Sequence, residues 1–126
     1  MGRAVDFADV RRHVVAFGDR ATLITVNESS TPHVVSTIVE VTGARLRTRV
    51  GQRTADNLAE RPGFSLVWQP VDAGEYQLIL DGVVEPDGVS AGADGVTEIS
   101  IEVTSGILHR LADLPGDEPS CLALGD

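Results

Sequence analysis

Three arginines recur at every second position of one short segment and form the clearest candidate binding feature of the sequence. They are Arg45, Arg47 and Arg49, separated by Leu46 and Thr48. In a β-strand, alternate residues project from the same face at intervals of about 6.6 Å. The spacing therefore predicts a strand that presents three guanidinium groups on one face, which suits an anion such as a phosphate.

A second feature that favours an anion follows four residues later. Arg53 and Thr54 open a predicted short helix over residues 51–61, which Pro62 and Gly63 end. The free N–H groups and the dipole at a helix N-terminus attract negative charge, so this segment also favours a phosphate. The residues leave an alternative open, in which the arginines form a solvated face that pairs with Asp and Glu side chains.

The overall charge and residue usage exclude several classes of function. The formal net charge is −9, which disfavours nucleic acid and anionic membrane surfaces as partners. All 10 basic residues are arginine, so mechanisms that need a Schiff-base lysine or a P-loop lysine are excluded. Because no Ser/His/Asp set is recognisable and the histidines lack ligand spacing, we predict neither a catalytic side chain nor a metal site.

The length and the distribution of apolar residues predict one small cytoplasmic domain. The chain has 126 residues and no apolar run near the ~20 residues that a membrane span needs. Charged residues from Asp6 to Arg12 occupy the region where a signal peptide would be apolar. We expect a domain over residues 1–112 and a flexible tail over residues 113–126, which contains the single cysteine, Cys121.

The residue pattern along the chain predicts two short helices and six strands. The helices are expected at residues 6–17, between an Asp6 cap and a Gly18 stop, and at 51–61. The strands are expected at residues 21–27, 33–41, 45–50, 64–69, 75–85 and, after a glycine-rich link over 88–95, within 96–108. Short strands joined by tight turns, without strand–helix–strand alternation, favour an antiparallel barrel or sandwich.

The segment of residues 48–62 resembles a motif of the pyridoxamine-phosphate-oxidase-like split-barrel flavoproteins. That family has a strand-end Thr, then Gly-Ser-Arg-Lys, a short helix and a closing Pro, and the spacing matches without a gap. The resemblance implies that Thr48, Arg53 and Thr54 hold the phosphate of FMN. Gln52 takes the place of the family's Ser beside them, and Thr54 takes the place of its Lys.

Two further segments resemble parts of the same family. Residues 76–85 are similar to the family's strand of Gln and apolar residues, which implies that Gln77 contacts the cofactor. Residues 21–39 are similar to short actinobacterial flavin and deazaflavin reductases, in which the second strand lines the flavin ring. This likeness assigns three residues to the surroundings of the ring: Val34, Val35 and Ser36.

Two departures from the family pattern bear on function. Without the family's Lys, one positive charge on the phosphate is missing, and Arg47 or Arg49 from the neighbouring strand is expected to replace it. The family's C-terminal Trp and Arg signature is also absent, with residues 106–111 in its place. Oxidation of vitamin B6 is therefore not the expected reaction.

The resemblance implies a mainly β fold, an antiparallel six-stranded split barrel of the FMN-binding type with two short helices. It also implies an oxidoreductase that uses FMN, or a deazaflavin coenzyme, to exchange hydride with a small organic substrate. Two protomers complete each cofactor site in this family, so we expect a homodimer with Trp68 and residues 69–74 near the interface. Two alternatives remain open: a non-enzymatic split barrel that binds or carries a flavin, haem or related ligand, and a scaffold whose arginines bind an acidic partner.

Overall fold

The computed structural model describes residues 6–72, 74–92, 94–112, 114–116, 118–119 and 121–124. Two helices and seven strands occur in these ranges, and β3 has the predicted bounds. In chain order the elements are α1 (Phe7–Phe17), β1 (Arg20–Val26), β2 (Pro32–Thr42), β3 (Arg45–Val50), α2 (Gln52–Glu60), β4 (Gly63–Trp68), β5 (Tyr76–Ala91), β6 (Thr97–Arg110) and β7 (Cys121–Ala123).

Six of these strands close into an antiparallel barrel. Neighbouring strands follow the order β3-β2-β1-β4-β5-β6-β7, and β3 also pairs with β6. The β3–β6 pairing sets Leu46 opposite Ile101 and Val50 opposite Thr97, and it closes the six strands β1 to β6 into a ring. The predicted antiparallel six-stranded barrel with two short helices is confirmed, and β7 adds a short seventh strand beside β6.

The hydrophobic core lies inside this barrel, because buried and exposed residues alternate along the strands. In β3 the buried positions are Leu46, Thr48 and Val50, whereas the arginines between them are exposed or half-buried. Trp68 is fully buried, and its Nε1–H donates to the carbonyl of Gly18 at 2.9 Å. The indole ring therefore belongs to the hydrophobic core of the barrel.

Helix α1 has the predicted cap and the predicted stop. The Asp6 carboxylate accepts the backbone N–H of Ala8 at 3.0 Å, and Gly18 ends the helix with a φ of 102°. Val10 and Val14 are buried against the barrel, which stabilises the fold by about 1.5–3 kcal/mol for each side chain. Within the described ranges, neither helix is long and apolar enough to cross a membrane.

The glycine-rich segment 88–95 is predicted as a link, and this prediction is wrong for its first half. Strand β5 continues through Ala91, because a register shift between Val84 and Val89 lets the pairing with β6 resume. A Cβ on Gly88 would lie 2.9 Å from a backbone carbonyl oxygen, so only glycine permits this close approach. The result is a long β5–β6 hairpin whose far end lies beside β3.

Part of the predicted tail pairs with the barrel. Strand β7 runs antiparallel to residues 107–109 of β6. Arg110 fastens the segment before β7, since its guanidinium donates to the carbonyls of Leu114 at 3.1 Å and Pro115 at 2.5 Å, and to the Glu75 carboxylate at 2.7 Å. The rest of the predicted flexible tail falls partly on residues outside the described ranges.

Candidate functional site

A small cleft opens where β3 ends and α2 begins. The β2–β3 ladder runs from the Thr42–Arg45 pair to the Val39–Thr48 pair, so the first half of β2 continues beyond it. Gly51 then leads the chain into α2. The cleft has a volume of about 300 Å³ and is lined by His33, Val35, Ser36, Thr37, Arg49, Val50, Gly51, Gln52, Arg53 and Thr54.

Thr48 fastens β2 to β3 at the inner end of this cleft. Its side chain is 1% exposed, and its hydroxyl donates to the carbonyl of Ile38 at 2.8 Å. The same hydroxyl oxygen contacts the Thr37 hydroxyl. Because Thr48 is buried and already bonded on both sides, the structure uses it to hold the strand end from which Arg49 projects.

The electrostatics of the small cleft favour an anion. Arg49 and Arg53 line it, and none of its described lining residues is Asp or Glu. No described residue forms an ion pair with Arg53. Gln52 is already engaged, because its amide donates to the Asp56 carboxylate at 2.7 Å. Two guanidinium groups in a cleft whose described lining includes no acid therefore concentrate positive charge here, in a chain of net charge −9.

The backbone at the start of α2 adds donors to the same cleft. Gly51 is the N-cap of this 9-residue helix, and a Cβ placed on it would meet no atom within 4 Å. The space beside the first helical turn is therefore open. The first N–H groups of a helix have no intrahelical acceptor, and the helix dipole favours negative charge at this end. Thr54 is buried, and it lines the cleft within the same turn.

A larger cleft adjoins the small one. It has a volume of about 780 Å³ and shares Ser36, Thr37 and Arg49 with the small cleft. Its other lining residues combine apolar and charged side chains, namely Phe17, Arg20, Ala21, Thr22, Ile38, Glu40, Val67, Trp68, Gln69, Asp94 and Val96. Because they share Ser36, Thr37 and Arg49, the two clefts together form one groove, with the described acids of its lining at the end away from α2.

The arginines of β3 are all paired with acids, as in the alternative that the sequence leaves open. Arg45 lies 3.0 Å from Glu85, Arg47 lies 3.3 Å from Glu98, and Arg49 lies 3.4 Å from Asp94. These acids belong to β5, to β6 and to the turn between them. Arg49 lines both clefts, whereas Arg45 and Arg47 are absent from both linings.

Seven of the predicted site residues therefore meet at the small cleft or at its inner end, and three do not. The residues brought together are Val35, Ser36, Thr48, Arg49, Gln52, Arg53 and Thr54. Val34 is on the outer face of β2, and Arg47 pairs with Glu98. Gln77 is on β5, where it lies opposite His109 of β6.

Most residues that line the larger cleft were not predicted as site residues, and Thr37 and Asp94 show why. Thr37 belongs to both clefts, and the alternation along β2 marks it only as an inward position. Asp94 reaches Arg49 only because β6 closes the barrel against β3. The Asp94–Gly95 dipeptide, a common turn signal, was the available clue to the hairpin end.

The three histidines lie in separate places. His33 lines the small cleft, the Nδ1 atom of His13 lies 2.9 Å from a backbone carbonyl of its own helix, and His109 is opposite Cys121. In the part of the chain that the structure describes, no group of three or more His, Cys, Asp or Glu residues is placed to hold a metal ion.

The sequence matches no protein-family model. Two curated relatives, an uncharacterized protein of Mycobacterium bovis and one of Mycobacterium tuberculosis, are each 37% identical to the chain over 76 residues. The match covers 58% of this chain and 52% of each relative. The chain therefore spans about half the length of the curated relatives it matches.

Solved structures with a similar fold are split-barrel proteins of the pyridoxamine-phosphate-oxidase-like type. An F420 reductase superposes with a TM-score of 0.61 at 18% identity, over 69% of this chain and 87% of its own. A haem-binding protein from Mycobacterium smegmatis superposes with a TM-score of 0.67 at 15% identity, over 99% of this chain and 60% of its own. A Clostridium acetobutylicum protein of the pyridoxinephosphate oxidase family superposes with a TM-score of 0.64 at 14% identity, over 96% of both chains. The predicted resemblance is confirmed at the level of the fold.

Proposed function

We propose that the chain is an oxidoreductase domain that binds FMN or a deazaflavin coenzyme and exchanges hydride with a small organic substrate. The observation that carries this proposal is the small cleft, where Arg49 and Arg53 line the start of α2 and no described lining residue is an acid. Both cofactors carry a phosphate, which arginine and a helix N-terminus recognise together. The names of two structural neighbours, an F420 reductase and a pyridoxinephosphate oxidase family protein, support the same class.

The donors in the small cleft fit a phosphate, and each has a distinct part in the proposal. Arg53 supplies a guanidinium that forms no ion pair with any described residue. Thr54 and the free N–H groups of the first helical turn supply short-range donors. Arg49 adds a second guanidinium. Thr48 acts as a positioning residue, since its buried hydroxyl holds the end of β3 against Ile38 and does not face the cleft.

The larger cleft is the proposed place for the ring of the cofactor and for the substrate. Its volume of about 780 Å³ lies in the range of small-molecule sites, and Ser36 and Arg49 connect it to the small cleft. Ile38 and Val67 give it apolar surface. The bound cofactor would supply the hydride chemistry, while these residues orient it and exclude water. No side chain is proposed as an acid or a base.

A homodimer is part of the proposal because the outer face of the barrel beside the clefts is apolar. Val34 and Ile38 are 57% and 51% exposed on this face, and Ile24 pairs with Val34 on it. A second copy placed there would cover these side chains and bring Val34 to the ring. Size-exclusion chromatography with light scattering should report a dimer for the wild type and a monomer for Ile38→Arg. A wild-type monomer at micromolar concentration would contradict the arrangement.

A second candidate is a split barrel that binds a flavin or haem without turnover. Two observations favour it: Thr54 stands where the resembling family has Lys, and a haem-binding protein superposes over 99% of the chain. Titration with hemin should then give a saturable Soret band. Reduction of a bound flavin by a donor, followed by reoxidation by a substrate, would support the enzyme instead.

Fluorescence titration with FMN and with the deazaflavin coenzyme tests the main proposal. We expect saturable micromolar binding of one of them and affinity at least about tenfold lower in Arg53→Ala, equivalent to about 1.4 kcal/mol. Arg45→Ala is the matched control, because Arg45 belongs to the same arginine ladder, is paired with Glu85 and lines neither cleft. No binding of either cofactor, or an equal loss in both variants, would overturn the proposal.

A further inference from the structure

Arg49 is the charged residue that the two clefts share among their described lining residues. Its side chain is 58% exposed, so it is accessible to a ligand from either side. An anion that occupies the small cleft and continues into the larger one passes directly by this guanidinium. The partner that Arg49 has before a ligand arrives therefore affects how strongly the groove binds an anion.

Arg49 already has such a partner at the end of the β5–β6 hairpin. Its Nη2 atom lies 3.4 Å from Oδ2 of Asp94, which is 60% exposed. The other carboxylate oxygen of Asp94 accepts the backbone N–H of Val96 at 3.1 Å. The N–H of Gly92 donates to the carbonyl of Val96 at 2.7 Å and closes the same turn. The turn thus holds Asp94 in place, with its second oxygen close to Arg49.

The other ion pairs of the arginine ladder lie away from the groove. Arg45 pairs with Glu85 and Arg47 with Glu98, and neither arginine lines a cleft. Arg49 and Asp94 both line the larger cleft. Among the described residues, this is therefore the pair in which an acid of the chain and a ligand anion would compete for the same guanidinium.

We propose that Asp94 is an internal competitor for the anionic ligand and sets the affinity of the groove for phosphate. This inference rests on the proposed function. A phosphate that binds Arg49 through Nη2 must displace the carboxylate of Asp94 from this nitrogen. An exposed ion pair changes an equilibrium by about 1.4- to 5-fold, so Asp94 weakens phosphate binding by a factor in that range. A singly charged carboxylate ligand displaces Asp94 less readily than a dianionic phosphate does, so the competition also favours phosphate ligands over carboxylate ligands.

The test is a fluorescence titration of FMN into wild type, Asp94→Asn, and two controls. Asparagine keeps the oxygen that accepts the Val96 N–H but removes the charge, so we expect FMN to bind about 3-fold more tightly. Glu85→Gln removes one carboxylate from the same hairpin, and we expect less than about a 1.5-fold change because its partner Arg45 lies outside the groove. In an Arg49→Ala background, Asp94→Asn should not change FMN affinity, because the guanidinium for which Asp94 and the phosphate compete is absent.

Several outcomes would overturn the inference. An equal gain in Glu85→Gln, or a gain that persists without Arg49, would show a general effect of net charge. Weaker binding in Asp94→Asn would show that Asp94 supports the ligand. Unchanged binding in Asp94→Asn, with normal binding by the wild type, would overturn the inference alone, whereas a wild type that binds neither FMN nor the deazaflavin would overturn the proposed function as well.

Discussion

Arg110 and Arg53 show two different uses of arginine in one acidic chain. The side chain of Arg110 is 6% exposed and donates to two backbone carbonyls and to the Glu75 carboxylate. Arg53 is exposed, lines the small cleft and has no ion-pair partner among the described residues. Both terminal nitrogens of Arg110 are bonded within the protein, whereas the proposal assigns the guanidinium of Arg53 to a ligand. Burial and the occupancy of the donors, more than residue type, separate a structural arginine from a binding one.

Replacing Arg110 breaks the structural side of this comparison and has the largest expected effect. Arg110→Ala removes three hydrogen bonds and leaves the carbonyls of Leu114 and Pro115 without their donor. We expect the free energy of unfolding to fall by about 2–4 kcal/mol, measured by urea denaturation. FMN affinity at low temperature, where the variant is folded, should be unchanged. A stability within about 0.5 kcal/mol of wild type would contradict the anchoring role.

Arg53→Ala should lower FMN affinity and leave stability unchanged, the opposite of Arg110→Ala. FMN affinity falls at least about tenfold, or about 1.4 kcal/mol, while the free energy of unfolding stays within about 0.5 kcal/mol of wild type. The reason is that no described residue loses an ion pair when Arg53 is removed. Parallel titration and urea denaturation of the same preparation measure both values. Loss of stability comparable to that in Arg110→Ala would make Arg53 a structural residue.

Thr48→Val tests a residue with a structural role beside the proposed binding site. Valine keeps the shape of threonine but removes the hydroxyl that bonds to Ile38, so we expect a loss of about 1 kcal/mol in unfolding free energy. FMN affinity should fall less than in Arg53→Ala, because Thr48 positions Arg49 without contacting the ligand. Thr42→Val, at an exposed position of β2, is the control. A fall in FMN affinity as large as in Arg53→Ala, without loss of stability, would instead assign Thr48 a direct contact.

The smallest effect is expected for Arg45→Ala, at the far end of β3. Its ion pair with Glu85 is exposed on the arginine side, and such pairs contribute about 0.2–1 kcal/mol. FMN affinity should stay within about 1.5-fold of wild type once salt screens the change in net charge. Titrations at low and physiological ionic strength check this. A tenfold loss at both salt concentrations would mean that the whole arginine ladder binds the cofactor.

Local features of the fold could be predicted from the sequence where short-range chemistry decides them. Asp6 and Gly18 bound α1 because a carboxylate cap and a glycine with positive φ act within one turn. The alternation from Arg45 to Val50 located β3 because its inward positions are apolar or small. The convergence of Arg49 and Arg53 near the start of α2 could be predicted for a similar reason, since α2 follows β3 after one residue.

The features that depend on barrel closure could not be predicted in the same way. Asp94 and Arg49 are 45 residues apart, and they meet only because β6 pairs with β3. The side-chain contacts of Thr48 with Ile38 and Thr37 depend on the register of the β2–β3 ladder, which alternation alone does not reveal. Strand β7 was missed because its three residues carry no clear strand pattern and depend on the edge that β6 offers.

The central claim is that the small cleft binds the phosphate of its ligand, and comparing FMN with riboflavin tests it most directly. Riboflavin has the same ring and ribityl chain but no phosphate. Fluorescence titrations of wild type and Arg53→Ala with both ligands should show that FMN binds wild type at least about tenfold more tightly than riboflavin, and that Arg53→Ala removes this difference. Equal affinity of wild type for the two ligands, or a preference for FMN that persists in Arg53→Ala, would contradict the assignment of the phosphate to this cleft.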